Sequence, residues 1–596
     1  METIIRSYIS EAIDALYMKS IDSEQVQVQE TRREFEGDFT VIVFPLTRYS
    51  SRSPEVTGDE IGKYLVSARP EIISYNVIKG FLNLVISPGI WTNMFREMAG
   101  NVNFGTRTVS GDSPTVVIEY SSPNTNKPLH LGHIRNNLLG FSLCRIAEAN
   151  GLKVVKTNIV NDRGIHICKS MVAWLKYGNG ETPSSSGLKG DHLVGKYYVL
   201  FEKEFRNERE RLISEGVDPE SVVEVAPLMR EAREMLRRWE AGDSETVSIW
   251  KMMNEWVYEG FDETYSRLGV SFDKIYYESD TYLRGREIVR EALSEGLVYS
   301  ESDGSVWADL SDDGLDRKIL LRADGTAVYI TQDLGTAVIR HEEYQFDRSV
   351  YVVGNEQNYH FQVLKALLAR LGYPWASELY HFSYGMVELP EGKMKSREGK
   401  VVDADQLIDE MIATAETMSE ELGKLDAIEE SRRREIYRKI GLAALKYFIL
   451  KVDPKKNMTF NPEESVDFNG NTGPFIQYTF ARIMSVLRRA DGIGYRDGSQ
   501  SLSEQFVPNG KELSIIKAVR RFSHIIASAS DEMNPSLIAN YVYDLAKEFN
   551  QFYHDFSILN ESEPERRFFR IELSRLVSGV IGKGMWLLGI EMPERM

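Results

Sequence analysis

The sequence predicts a multidomain protein of mixed class, α/β plus α. Three observations carry this expectation. The 596 residues are too many for one hydrophobic core. From Thr115 onward strand-like and helical runs alternate, which is the pattern of a parallel sheet wrapped by helices. From about residue 431 to the end nearly every segment has helical periodicity.

Residues 1–110 read as a small α+β domain. Ile5, Ile9, Ile13 and Leu16 recur at helical spacing, and "DFTVIVFPL" and "GFLNLVI" are strand-like runs around a helical "DEIGKYLVSA". Residues 111–430 read as the parallel-sheet domain. It opens with the strand "TVVIEY", the polar stretch "SSPNTNKPLHLGHIRNN", a helix to about Asn150 with Gly151 as its stop, and the strand "KVVKTNIV". Charged helical sequence then interrupts the alternation from about 175 to 300, so this stretch is expected to be an insertion. Sheet-like units resume at "AVYITQDLGTAVI", "RSVYVVGNEQNYHFQVLKALLARLG" and "YHFSYGMVELPEGKMKSREGKVV". Residues 431–596 read as a helical bundle.

A net charge of −18 argues against indiscriminate binding to nucleic acid or anionic membrane, while leaving room for a local basic surface. Cys144 and Cys168 lie outside any paired-ligand spacing, which points to a reducing compartment. The N-terminus lacks a signal peptide's uninterrupted apolar region, and no apolar run reaches membrane-spanning length. A cytoplasmic protein that does not enter membranes is expected.

The stretch from Ser121 to Asn137 lies where a parallel strand hands over to a helix, the place where open sheets bind ligands. A helix N-terminus presents unpaired N–H groups to phosphate, and Gly132 allows close approach to the backbone. His130 and His133 lack the spacing of a helical zinc pair, so no metal site is expected. They could donate hydrogen bonds to a phosphate under attack, or simply cap the helix. A second basic stretch, "GKMKSREGK", places Lys393, Lys395 and Arg397 in a Gly-bounded loop after a later strand, suited to neutralising a polyphosphate.

HLGH and KMKSR, in this order around a long insertion, resemble the HIGH and KMSKS signatures of class I aminoacyl-tRNA synthetases. The block "VIEYSSPNTNKPLHLGHIRNN", with "VYITQDLGTA", "VVGNEQNYH", "NTGPFIQYTFAR" and the closing "GIEMPERM", resembles the arginyl enzymes in particular. The resemblance implies a Rossmann-type catalytic domain, an N-terminal domain that touches the tRNA elbow and an anticodon-binding helical bundle. It implies an arginine–tRNA ligase that uses ATP with Mg²⁺ and forms an arginyl-adenylate. The partners would be L-arginine and tRNA(Arg), and the protein would be monomeric.

Site residues follow from the same resemblance. His130, His133, Lys127, Lys393 and Lys395 would stabilise charge, and Gly132, Met394, Ser396 and Arg397 would bind ATP. Glu119, Asp333 and Tyr329 would hold the guanidinium, while Ser122, Asn124 and Gln357 would hold the amino and carboxylate ends. A guanidinium is a planar fork of five donors, so carboxylates and a hydroxyl suit it. Phe81 and Asn83 would read a tRNA D-loop base, and Tyr478, Tyr541 and Met596 would meet the anticodon loop; for both tyrosines the alternative is plain helix packing. The chain departs from KMSKS at its fourth position, where Ser396 replaces a lysine. In arginyl enzymes lacking that lysine, one upstream of HIGH compensates, which points to Lys127, with Lys395 as the alternative. The insertion shows no hydrolytic constellation, so no editing site is expected.

Overall fold

The computed structural model describes residues 1–32, 34–388, 402–421, 429–495 and 502–596. Its chain divides into two compact units. One gathers Met1–Phe104 with Val486–Arg521 and Glu548–Val577; the other holds Gly105–Ser485, Phe522–Lys547 and Ser578–Met596.

In the first unit four antiparallel strands, β1 Val28–Glu30, β2 Phe39–Ile42, β3 Ile72–Ile78 and β4 Phe81–Ile86, lie in the order β1-β2-β4-β3. Helix Glu2–Tyr17 buries Ile5, Ile9, Ala12 and Ile13, the face its spacing predicts. Lys517 from helix Gly510–Arg520 pairs with Asp38, and Arg520 pairs with Glu30 at 2.7 Å. The unit therefore recruits part of the helical C-terminal sequence.

The second unit is built on five strands, β5 Thr115–Glu119, β6 Lys153–Val160, β7 Lys274–Tyr277, β11 Arg348–Gly354 and β12 Leu379–Tyr384. They are all parallel and ordered β12-β11-β5-β6-β7. Counted along the chain, this is the order 5-4-1-2-3, so strand order reverses between β5 and β11. Rossmann-type sheets bind ligands at that crevice. β5 and β11 are buried because helices cover both faces, which is why they read as continuous apolar runs.

Helix Leu131–Ala149 follows β5 and is buried nearly all round. Gly140 makes this possible: a Cβ there would come within 2.3 Å of Tyr120 Cβ and 2.4 Å of its ring, so only glycine lets the helix lie against the end of β5. The helix ends at Ala149 and Gly151 takes φ +87°, as the sequence predicts.

Two expectations need correction. The stretch 175–300 is not wholly an insertion. Helices Gly190–Ser214, Pro227–Glu240 and Ser244–Leu268 fill most of it, but β7 is the edge strand of the main sheet. A further antiparallel sheet follows, with β8 Tyr299–Ser300, β9 Val306–Ala308 and β10 Lys318–Leu321 in the order β10-β9-β8. Strands of two to four residues carry too little alternation to stand out. The segment "AVYITQDLGTAVI" is mainly helix, Tyr329–Tyr344, because its β-branched residues fall on a helical face that buries Ile330, Leu334, Ala337 and Val338. Among the described residues no helix is long and apolar enough to cross a membrane.

Candidate active site

The site grows from the end of β5. Ser121 and Ser122 take φ +81° and +48°, two successive positions that cost non-glycine residues on the order of 1–3 kcal/mol each. Four hydrogen bonds hold them there. Ser121 N–H donates to Asn136 Oδ1 at 2.5 Å and its hydroxyl meets Tyr265 Oη at 2.7 Å. Ser122 N–H donates to Asn158 Oδ1 at 3.0 Å and its hydroxyl donates to Glu119 Oε1 at 3.1 Å. Asn136 also donates to Val352 O at 2.7 Å and to Tyr384 Oη at 3.1 Å, so one buried amide joins the ends of β5, β11 and β12. Sequence reasoning missed it; a polar "RNN" in an otherwise apolar helix was the available signal.

The histidines settle the open question of capping. His130 is the N-cap of helix Leu131–Ala149: its Nδ1 accepts from Gly132 N–H at 3.1 Å, while His133 Nδ1 accepts from His130 N–H at 3.2 Å. Capping does not use up the rings. With Nδ1 accepting, each ring proton sits on Nε2 and remains a donor. Burial and Lys127 hold the His130 imidazole down to about 4, and burial, His130 and Lys127 push His133 well below its ordinary value. Both are neutral donors at pH 7, at a helix end that already favours anions.

The second basic stretch, with Lys393, Met394, Lys395, Ser396 and Arg397, lies wholly outside the described residues. The described chain from Val402 onward is tied to HLGH: Leu131 N–H donates to Val402 O at 3.1 Å and Ala404 N–H to Leu129 O at 3.0 Å. Beyond it, Asp403 pairs with His192, whose Nε2 lies 3.1 Å from its carboxylate, and Asp405 pairs with Lys189 and with Arg267 at 3.0 Å. Asp191, His192 and Asp405 lie close enough to hold a metal ion. These cations neutralise the carboxylates without one, and Asp403 and Asp405 raise His192 to about 10.

The guanidinium residues separate into two groups. Tyr329 and Asp333 stand one turn apart on helix Tyr329–Tyr344, as their spacing implies if helical. Asp333 Oδ2 meets His360 Nε2 at 2.6 Å. With them is a carboxylate that sequence reasoning missed, Glu278, at the start of helix Glu278–Ser294. Burial, Asp333 and Asp162 push its carboxyl up to about 8. Such a rise marks acidic charge gathered in a half-buried place, where a cationic ligand would be stabilised. The acidic "YYESD" after a short strand was its only sequence trace.

Glu119 stands in a different relation. Its Oε2 pairs with the guanidinium of Arg340, which is fully buried beneath the rings of Tyr276 and Tyr351 at 5.0 and 5.6 Å. The expectation that Glu119 holds a substrate guanidinium is thus corrected in one respect: it already holds one belonging to the chain. Removing one partner of a buried pair leaves the other charge uncompensated, at about 3–5 kcal/mol. Glu119→Gln is expected to lower stability by that amount, measured as the shift of the urea midpoint. A stable variant with a raised KM for arginine would return Glu119 to substrate binding.

The remaining residues are more scattered. Asn124 is half-buried in a backbone bridge to Asn161, and Gln357 is exposed in the turn Asn355–Gln357 that follows β11. In the first unit Phe81 is 37% exposed, edge-on to Phe44 at 5.7 Å. Asn83 is buried, with its amide bonded to Thr40 at 2.6 Å and Asn76 at 2.7 Å. In the second unit Tyr541 is buried and stacked on Phe522 at 5.6 Å, the packing alternative, while the half-buried Tyr478 lies under Arg482 at 4.8 Å. Met596 is half-buried at the C-terminus.

The chain was compared with known proteins. The family model described as tRNA synthetases class I (R), catalytic domain, matches residues 100–461, and that of the DALR anticodon binding domain matches residues 476–596. An arginine–tRNA ligase of Porphyromonas gingivalis is 57% identical over 585 residues, 98% of each chain. One of Bacteroides fragilis is 58% identical over 595 residues, 100% of this chain and 99% of that one. The arginyl-tRNA synthetase of Thermus thermophilus, at 23% identity, shares the fold with a TM-score of 0.77 over 100% of both chains. With a parallel sheet that presents HLGH at its switch point and these matches along its whole length, the chain belongs to the arginyl-tRNA synthetases of class I.

Proposed function

We propose that this protein joins L-arginine to tRNA(Arg) at the expense of ATP, through an arginyl-adenylate. An arginine carboxylate oxygen attacks the α-phosphorus of ATP, forming a P–O bond and releasing pyrophosphate. The terminal ribose hydroxyl of the tRNA then takes the acyl group and AMP leaves. The observation that carries this reading is that one compact unit holds both the half-buried carboxylates of Glu278 and Asp333 and neutral imidazoles at a helix N-terminus. One element suits a guanidinium and the other a polyphosphate.

In this reading Asp333, Glu278 and Tyr329 bind the guanidinium, and Ser122, Asn124 and Gln357 bind the other end of arginine. His130 and His133 donate through Nε2 to the α-phosphate as charge develops, with Lys127 adding a full positive charge beside them. Gly132 and the loop residues Lys393, Met394, Lys395, Ser396 and Arg397 take the rest of ATP with its Mg²⁺. No residue acts as a nucleophile. Residues 1–110 touch the tRNA elbow through Phe81, and residues 431–596 meet the anticodon loop through Tyr478 and Met596. Asn83 and Tyr541 contribute by holding these surfaces in shape. The protein works as a monomer in the cytoplasm, and bound tRNA is required before the adenylate forms.

The test is ATP–pyrophosphate exchange with each of the twenty amino acids, with and without tRNA(Arg). Exchange dependent on arginine and on tRNA is expected. Selectivity for another amino acid would overturn the assignment, and tight tRNA binding with no aminoacylation would make the chain a binding protein.

A further inference from the structure

The carboxylates of the arginine pocket are not left to themselves. Directly after β6, the loop residue Arg163 sends its guanidinium toward them from the side of the helical insertion. It lies 4.0 Å from the ring centre of Tyr282 and 5.4 Å from that of Trp239, and it pairs with Glu240 at 3.0 Å. Gln332, one residue before Asp333, completes a link. With its amide turned to suit both neighbours, it accepts from Arg163 Nη1 at 2.9 Å and donates to Glu278 Oε2 at 3.3 Å. The neighbouring Asp162 is itself tied down: Tyr258 and Ser279 hydroxyls donate to its carboxylate at 2.9 and 2.7 Å, and Trp250 Nε1 donates to its carbonyl at 2.6 Å.

We propose that Arg163 is a positioning residue for substrate selection: a guanidinium fixed by the insertion that reaches Glu278 through Gln332 and favours the charged form of that carboxylate for the arginine substrate. The inference rests on the function proposed above and deepens it.

The charges facing Glu278 can be named from every side. Asp333 and Tyr329 come from helix Tyr329–Tyr344, which also carries Arg340, the partner of Glu119; Asp162 and Arg163 come from the loop after β6 and Glu119 from β5, and Glu240 backs Arg163. Asp333, Asp162 and Glu119 oppose ionisation of Glu278, and Arg163 acts in the other direction. Losing Arg163 therefore raises the pH at which Glu278 ionises. A protonated Glu278 cannot pair with a guanidinium, so KM for arginine should climb as pH falls, and should begin to climb at higher pH in the variant.

The experiment measures KM for arginine by pyrophosphate exchange with tRNA present, from about pH 6 to about pH 10, in the full-length protein and in Arg163→Gln and Arg163→Lys. In Arg163→Gln the acid limb of the profile is expected to move up by about one pH unit, which raises KM roughly tenfold on that limb. The two profiles should converge above pH 9, and Arg163→Lys, which keeps the charge, should restore most of the original profile. Superimposable profiles, or a rise in KM that is the same at every pH, would overturn the inference by leaving Arg163 only a structural role. If Arg163→Gln does not fold, Gln332→Met decides, since cutting the link should move the limb in the same direction and an unmoved limb overturns it. Absence of arginine-dependent exchange in the unmodified protein would instead sink the proposed function.

Discussion

Lys127→Ala is expected to slow arginine-dependent pyrophosphate exchange by about 10²–10³-fold while leaving the KM for arginine within a few-fold of its original value. The magnitude is that of removing one preorganised stabiliser of transition-state charge. The reasoning starts from Ser396, which stands where the family signature has a lysine that balances the departing pyrophosphate. A positive charge is then needed from elsewhere. After burial, Lys127 lowers His130 and, to a lesser extent, His133, so its charge bears on the place where the imidazoles would meet phosphate. An unchanged rate would pass the role to Lys395, and a raised KM with unchanged kcat would make Lys127 a binding residue only. Thermal denaturation of the variant separates either outcome from misfolding.

Glu278→Gln is expected to raise the KM for arginine by roughly 10²-fold. Removing one partner of a buried charged pair costs about 2–5 kcal/mol, and 1.4 kcal/mol is a factor of ten. The same substitution should stabilise the empty protein. Glu278 has a folded-state pKa of about 8, raised above the 4.5 of an ordinary glutamate, so the folded state holds a proton there that the unfolded chain releases. Stability is then lost progressively as pH rises from about 4.5 to about 8, and Gln removes that loss. Urea midpoints at pH 5 and pH 8 should differ less for the variant than for the original chain, alongside its weaker arginine binding. Equal KM values would place the guanidinium elsewhere.

How far the sequence reaches is seen by comparing particular residues. HLGH, β5 and its helix were legible because a β-branched run, turn-formers and a helical repeat follow one another within forty residues. The Tyr329–Asp333 pair needed only the helical spacing to be right. Glu278 was not legible because nothing local distinguishes it from dozens of other glutamates. Its character comes from Asp333 and Asp162, which are distant in sequence and near in space. Arg340 was hidden for the same reason, and its partnership changes what Glu119 can do. Tyr541 is the converse case, since an aromatic in a helical repeat reads alike whether it faces solvent or Phe522. Local pattern specifies elements; charge partnerships arise only when the elements meet.

The backbone bridge between Leu129–Leu131 and Val402–Ala404 has a consequence for how the protein is made. The two strands of that bridge are separated by about 270 residues of chain. At translation rates of roughly 5–20 residues per second, HLGH emerges on the order of 15–50 s before the segment that clasps it. Throughout that interval the nascent chain carries a helix N-terminus and two capping histidines without their partner strand. A ribosome stalled before Val402 would release a chain whose sheet is complete but whose HLGH segment lacks the Val402–Ala404 backbone that pairs with it. Arginine activation should therefore appear late and abruptly during synthesis, after the last strand of the sheet rather than with it.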